Sequence, residues 1–296
     1  MKNLNLYITP EAKNRLGEGG LRTKGLFKQR DLKKPLVTVI TVVFNDVTYL
    51  ERTIFSILNQ TYDNVEFIVV DGGSSDGTLE IIKKYDHAID YWVSEKDAGI
   101  YDAMNKGIRL ATGEWINFMN SGDLFYESTT LNSIALQLES NLQIVFGDVE
   151  TFSKRHQFNV NKISGPVSVQ NLVMKMPICH QSMFVTLQSF KQVGLFDINY
   201  KICADHDWLI KALLAGHQAK YVKECIALSN IDGVSSTSIF QRKRERLSIA
   251  LIHFNTLKPK IYLMAIVSFI KAPFTFCLSK FNLIVFSHRF KTTKKI

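Results

Sequence analysis

Three aspartates in this sequence could do chemistry together. Asp71, Asp97 and Asp123 each follow an apolar run by a few positions. A carboxylate at a strand end can hold a divalent cation through hard oxygen ligands, and the cation can hold phosphates. It can also accept a hydrogen bond from a nucleobase N–H. A single aspartate in a turn more often caps the helix that follows it. Three converging on one rim are better explained by a polar ligand site. Asp123 closes Trp115-Ile-Asn-Phe-Met-Asn-Ser-Gly-Asp123, an apolar strand running into Asn, Ser and Gly turn formers.

The elements that must position these acids alternate along the chain. Leu36 to Phe44 is a nearly continuous β-branched run, the mark of a strand buried on both faces. Asn45-Asp46 breaks it. Thr48 with Glu51 then reads as a capping box opening a helix that carries Leu50, Ile54, Ile57 and Leu58. Val65 to Val70 is a second buried strand, ending in Asp71-Gly-Gly-Ser-Ser-Asp-Gly-Thr78. Asp76 or Thr78 is the expected cap of a helix through Tyr85. A short strand over Ile89 to Val93 and a helix from Ile100 to Leu110 follow, and Gly113 ends that helix. This alternation predicts an α/β fold with a mainly parallel sheet and helices on both faces. Ligands of such sheets bind beyond the carboxyl ends of the strands. The turn after the first strand, Thr41-Val-Val-Phe-Asn45, has no glycine, which excludes a dinucleotide fingerprint; a Walker A loop is absent as well. Phosphates must be neutralised another way, with Asp123 and a metal as the candidate. Asp71 is placed to accept from a base N–H, and Phe44 to cover a base face.

The 296 residues carry a net charge of +9, which suggests an anionic partner. The basic residues gather mostly at the two termini, without interleaved aromatics, which argues against nucleic acid. Cys179, Cys203, Cys225 and Cys277 are scattered and form no CxxC pair. That speaks against a zinc site or a disulfide framework and fits a reducing compartment. Met1 to Lys34 never gathers seven apolar residues in a row, so no signal peptide is expected and a cytoplasmic chain is. With Gly17, Gly19, Gly20 and Gly25 breaking any period, residues 1–34 read as a basic arm, loosely ordered or draped on the core.

Four motifs taken in order carry a resemblance: Val37-Thr-Val-Ile-Thr-Val-Val-Phe-Asn45, Val70-Asp-Gly-Gly-Ser-Ser-Asp-Gly-Thr78, Gly99-Ile-Tyr-Asp-Ala-Met-Asn-Lys-Gly107 and Asn120-Ser-Gly-Asp123. Together they resemble family 2 glycosyltransferases of the GT-A fold, nearest the bacterial enzymes of capsular, colanic-acid-type or O-antigen polysaccharide synthesis. The resemblance covers residues 36–235. It implies an inverting transferase that moves a sugar from a UDP- or GDP-sugar to a hydroxyl of a glycan or lipid-linked acceptor, with Mn2+ or Mg2+. It gives base recognition to Asp71, and the metal and donor diphosphate to Asp123. Thr41, Phe44, Asn45, Asp97, Asn105 and Ser121 complete the expected nucleotide-sugar site. Asn120 or Ser121 stands where many relatives carry the first acid of the metal motif. A one-carboxylate site leaves more of the shell to phosphate and water, as is usual for Mg2+.

The same resemblance places His180 and Gln181 beside the cleft, in contact with acceptor or donor sugar. Ile144 to Asp148 reads as a strand ending in an acid, either a plain turn residue or a further group near the donor sugar. Family members carry Glu-Asp where this chain has Ala204-Asp205, so Asp205 matches the base that deprotonates the acceptor hydroxyl. Without the resemblance, Asp205 would be the N-cap of a helix through Leu213, with Asp207 in its first turn. Residues 151–162 alternate like an exposed hairpin, and Asn230 to Thr237 reads as a mobile loop able to close over the donor. The basic run Gln241 to Arg246 is either a solvated helix face or a phosphate contact, with Arg242 chosen.

The expected organisation is an arm over 1–34, a transferase domain over 35–240 divided after residue 123, and a helical tail over 241–296. Lys271 and Pro273 interrupt the tail's apolar segments, 261–270 and 274–286, so no spanning helix is expected. Two readings of the tail stay open. One is a pair of interfacial helices meeting anionic lipid on the inner face of the cell membrane; the other is helices packed on the core or on a dimer partner. Rivals to the transferase are a scaffold that keeps the fold without catalysis and a metal-dependent hydrolase using the same acids.

Overall fold

The structure, a computed structural model, describes residues 15–29, 31, 34–153, 158–160, 167–168, 172–173, 175–230, 239–259 and 261. The chain enters the fold through β1 (Arg15–Gly19), and the centre of the sheet is β2 (Val37–Val43). On one side of β2 lies β3 (Val65–Asp71), followed by β4 (Tyr91–Glu95); on the other lies β5 (Trp115–Phe118). These four strands are parallel, joined by α1 (Leu50–Leu58), α2 (Thr78–Lys84) and α3 (Ile100–Leu110). Their carboxyl ends therefore share one edge.

Period-two alternation explains why β2 is wholly buried. Val37, Val39 and Val43 pack into one core with Leu50 and Ile54 of α1. Ile40 and Val42 enter the opposite core with Met104 and Ile108 of α3. Each such aliphatic side chain contributes about 1.5–3 kcal/mol by leaving water. The two buried threonines are satisfied inside: Thr38 donates to Glu66 Oε2 at 2.6 Å and Thr41 to the Met119 carbonyl at 2.7 Å.

The second half follows with β6 (Leu124–Phe125), α4 (Thr130–Ala135), β7 (Ile144–Ser153), β8 (Phe158–Val160), β9 (Met183–Thr186), α5 (Leu187–Val193), α6 (Ala204–Leu214), β10 (Ala219–Asn230) and α7 (Ile239–His253). The sheet order is β1-β4-β3-β2-β5-β9-β7-β10-β6, with β8 on β7. β9 runs antiparallel to both β5 and β7, whereas β10 is parallel to β7. The mainly parallel sheet thus becomes mixed beyond β5. α6 is seated by Trp208, whose ring lies 4.5 Å from that of Phe190 and 6.2 Å from that of Phe196. Its indole N–H donates to the Gly194 carbonyl at 2.7 Å.

Three local expectations differ from the fold. The capping box at Thr48 does not form: α1 begins at Leu50 without a side-chain cap. Glu51 accepts instead from Lys84 Nζ at 2.7 Å and Tyr85 Oη at 2.8 Å, tying α1 to α2. Asp148 does not end its strand, because β7 continues to Ser153 by pairing with β10. The described part of the N-terminal arm opens with a sheet strand, antiparallel to β4, and continues into a 3-10 turn, Leu21–Lys24. Its glycines are what allow this, since a Cβ on Gly19 would lie 2.6 Å from Trp92 Nε1. Behind β1, buried Arg22 pairs with buried Glu66 and donates to the Leu110 carbonyl at 2.8 Å.

Candidate active site

One wall of the cleft is built around the carboxyl end of β3. Asp71 is fully buried there. The two glycines after it turn the chain back, Gly73 at φ 85°, so that Ser74 donates to Asp71 from its hydroxyl at 2.5 Å and from its backbone N–H at 3.1 Å. Ser94 of β4 donates to Asp71 Oδ2, the oxygen that also takes the Ser74 N–H, at 2.5 Å. Asn45, at φ 49°, lends its N–H to Ser74 Oγ at 2.7 Å and accepts from Ser75 N–H at 2.9 Å. Asparagine tolerates that left-handed backbone better than most residues. Beside it Phe44 is 62% exposed, an apolar face turned to solvent at the rim. Asp97 lies against the same wall. A Cβ on Gly72 would fall 2.5 Å from Asp97 Oδ2 and 3.3 Å from the Phe44 ring. Asp97 Oδ1 accepts from Gly99 N–H at 2.8 Å, and burial pushes its pKa up.

The loop after β5 abuts this wall. Ser121 donates to Asp46 Oδ2 at 2.6 Å, and Thr53 of α1 donates to the Asp123 carbonyl at 2.9 Å. The Asp123 side chain is 5% exposed. Its Oδ2 accepts from Gln181 Nε2 at 2.8 Å and its Oδ1 from Asn230 N–H at 3.0 Å. Burial raises its pKa, and Gln181, the charge of His180 and the Asn230 N–H offset the lost hydration only in part.

Asp205, in the first turn of α6, closes the cleft. Its Oδ1 accepts from Tyr101 Oη at 3.0 Å and from His206 N–H at 2.9 Å. His180 Nδ1 stands 3.6 Å from Oδ2, an electrostatic contact longer than a full hydrogen bond. The other ring nitrogen of His180 is 2.9 Å from Asn120 Nδ2. Burial would raise the Asp205 pKa, but His180 and then Tyr101 outweigh it and hold the group below the usual carboxylate value. Tyr101 is driven well up by burial and by Asp205, so it stays a donor. The Cys179 thiol is pushed up to about 12, mainly by burial and then by Asp205 and Asp123. The consecutive residues His180 and Gln181 touch Asp205 and Asp123 respectively, so the two acids flank one short turn.

Other expected residues lie elsewhere or act differently. Thr41 is buried and engaged with Met119, so it supports the rim from behind. Asn105 holds the Phe196 backbone from both amide atoms, at 2.9 Å and 3.0 Å, and does not line the cleft. Asp148 sits within its strand and accepts from Tyr221 Oη at 2.8 Å. Asp207 lies in the first turn of α6, where it binds Lys211 Nζ at 2.6 Å and His253 Nε2 at 2.7 Å. Arg242 is half-buried on α7, and its carbonyl accepts from Cys203 Sγ at 3.7 Å. Tyr101, Thr53, Ser74 and Ser94 are the members that sequence reasoning missed. Tyr101 and Ser74 gave a signal, by standing inside motifs that carry the resemblance. The closing loop over 231–237 and the apolar tail over 262–296 lie outside the described residues. Among the described residues no helix is long and apolar enough to cross a membrane, and no three His, Cys, Asp or Glu side chains cluster as metal ligands.

A family model described as Glycosyl transferase family 2 matches residues 38–193. The chain is 30% identical over 223 residues to a PGL/p-HBAD biosynthesis glycosyltransferase of Mycobacterium bovis, covering 73% of this chain and 85% of that one. It is 32% identical over 188 residues to an uncharacterised glycosyltransferase of Rickettsia typhi, covering 60% and 59% of the two chains. Among solved structures it is similar to the mannosyltransferase PcManGT of Pyrobaculum calidifontis in complex with GDP-Man and Mn2+, with TM-score 0.58, 18% identity and coverage of 78% and 69%. It is also similar to S. aureus TarS 1-349 in complex with UDP, with TM-score 0.56, 17% identity and coverage of 73% and 64%. The chain spans 39% of the longer TarS chain. At these identities the structural likeness establishes the GT-A-type fold.

Proposed function

The chain belongs to glycosyl transferase family 2 and is a glycosyltransferase, and from that premise we propose an inverting, metal-dependent reaction at the cleft between Asp123 and Asp205. The donor is a UDP- or GDP-sugar. Its base lies against Phe44, within reach of Asp71 and Asp97. The acceptor is a hydroxyl of a glycan or lipid-linked glycan in bacterial surface polysaccharide synthesis. The observation that carries this reading is Asp205, held by Tyr101 and His180 below the usual carboxylate value, with Asp123 on the adjacent Gln181 of the same turn.

Asp123 fits a hard divalent ion. Its oxygens accept from neutral donors, Gln181 Nε2 and the Asn230 N–H, and no lysine or arginine pairs with it among the described residues. Mn2+ or Mg2+ held there, with phosphate and water completing the shell, would stabilise negative charge on the leaving diphosphate. The chain's own residues do the rest. Asp205 takes the proton of the acceptor hydroxyl. The hydroxyl oxygen forms a bond to the anomeric carbon opposite the diphosphate, the carbon–oxygen bond to the diphosphate breaks, and configuration inverts. The complexes of similar proteins with UDP and with GDP-Man and Mn2+ support this donor class.

A thermal-shift panel of UDP- and GDP-sugars with Mn2+ tests the reading. Stabilisation by one nucleotide class, lost on chelation, is expected; no response to any member would overturn it. Peripheral membrane association through the 241–296 tail is part of the proposal. Liposome flotation of the full chain and of a chain ending at residue 257 should differ, and equal flotation would remove it.

A further inference from the structure

We propose that the turn His180–Ser182 is a positioning element: consecutive side chains orient the two acids of the reaction, and Asn120 sets which nitrogen of His180 carries the proton. This rests on the reading of Asp205 as base and Asp123 as the donor-holding acid. It replaces the expectation that His180 and Gln181 touch sugar.

Gln181 is fixed from several sides. Its amide nitrogen donates to Asp123 Oδ2 at 2.8 Å and approaches Ser229 Oγ of β10 at 3.1 Å. Its backbone carbonyl accepts from Asn117 Nδ2 of β5 at 2.9 Å. The preceding residue faces the other acid, with His180 Nδ1 3.6 Å from Asp205 Oδ2. One turn of chain therefore sets the separation between the group that holds the leaving diphosphate and the group that takes the proton. A misplacement of about 1 Å between such groups can cost about a hundredfold in rate.

Asn120 supplies the second part. Its Nδ2 lies 2.9 Å from His180 Nε2, and an amide nitrogen only donates. Nε2 must then present its lone pair, so the neutral ring carries its proton on Nδ1, facing Asp205. An aspartate at position 120 would only accept. It would demand a proton on Nε2 and leave a neutral ring with its Nδ1 lone pair against the Asp205 carboxylate. The amide, standing where an acid was expected, is what lets an uncharged His180 donate toward Asp205. Asn120 Oδ1 is buried with no hydrogen-bond partner among the described residues, consistent with an amide whose orientation is set by its nitrogen.

Two measurements test this on the full chain. The first is imidazole 15N NMR of the free protein, with the His180 signals assigned by their disappearance in His180→Gln. The Nδ1–H tautomer is expected in the wild type and its loss in Asn120→Asp; an Nε2–H tautomer in the wild type would overturn the assignment without any substrate. The second is release of UDP or GDP from a panel of UDP- and GDP-sugars with Mn2+, water serving as acceptor. His180→Ala should lower kcat by about tenfold or more with the nucleotide Kd within about twofold. Gln181→Leu should instead raise that Kd by about fivefold or more. Equal losses of both parameters in both variants would mean a structural role only, and unchanged kcat in His180→Ala would end the proposal. A wild type that neither binds nor releases nucleotide would sink the transferase reading, while the tautomer measurement would still decide the role of the turn.

Discussion

Asp123 and Asp205 are comparably enclosed, yet their carboxyl groups shift in opposite directions. Asp123 rises because burial removes water, and the Gln181 amide, the charge of His180 and the Asn230 N–H offset that loss only in part. Asp205 falls because a histidine ring and a phenol converge on it. Burial alone therefore does not set the role of an acid. The donors brought to it decide whether it awaits a cation or stands ready to take a proton.

Replacing each acid should separate the two roles. Asp205→Asn should lower turnover by about a thousandfold while leaving nucleotide binding in place, checked by calorimetry with UDP and GDP beside a transfer assay. Near-wild-type turnover would dissolve the contrast. Asp123→Ala should instead weaken Mn2+-dependent nucleotide binding by about 10–100-fold, the scale of losses at metal sites. Affinity unchanged with and without the metal would remove Asp123 from the donor side.

Tyr101→Phe sharpens the comparison by taking one donor from Asp205. A hydrogen bond to a charged group is worth about 1.5–3 kcal/mol, so kcat/KM should fall by about tenfold or more. A base works when ionised, so activity is lost as pH falls through its lowered pKa. The acid limb of the wild type should therefore lie below the ordinary value near 4, and the variant's limb should move up toward it. A limb that stays put would mean that the phenol only holds the Ile202 carbonyl, 2.7 Å away.

Asp90 is a control outside the cleft. It is buried, accepts from Phe67 N–H at 2.7 Å, and burial pushes its pKa to about 6. Its folded pKa is raised, so its contribution to stability is full below about 4 and is lost as pH rises through about 6. Asp90→Asn should therefore be more stable than the wild type by about 1–2 kcal/mol at pH 7 and lose that advantage below pH 4. A constant difference across the range in denaturant titrations would show that burial does not govern this acid.

The first half of the chain was largely legible because its determinants are local. The β-branched run of β2 and the Asp-Gly-Gly-Ser turn each define themselves within a few residues, and α3 spans the residues its spacing predicts. The second half depends on contacts between distant residues. His180 meets Asn120 across 60 positions and Tyr101 meets Asp205 across 104, which no spacing rule reports. Thr41 and Asn105 misled for a related reason. Their side chains suit a ligand, but Met119 and Phe196 already engage them. The Gly17 and Gly19 that break any period are what admit a strand, because Trp92 and, at Gly19, Asp86, both far along the chain, crowd the space a Cβ would take.

The pairing of β1 with β4 also imposes an order on synthesis. Arg15 reaches Glu95 across 80 positions, and Arg22 finds Glu66 beneath the sheet. β1 leaves the ribosome before its seat on β4 has been translated and must wait, unpartnered, for it. A nascent chain arrested before residue 90 should leave this leading segment open to protease, and one arrested well past residue 130 should have it tucked away.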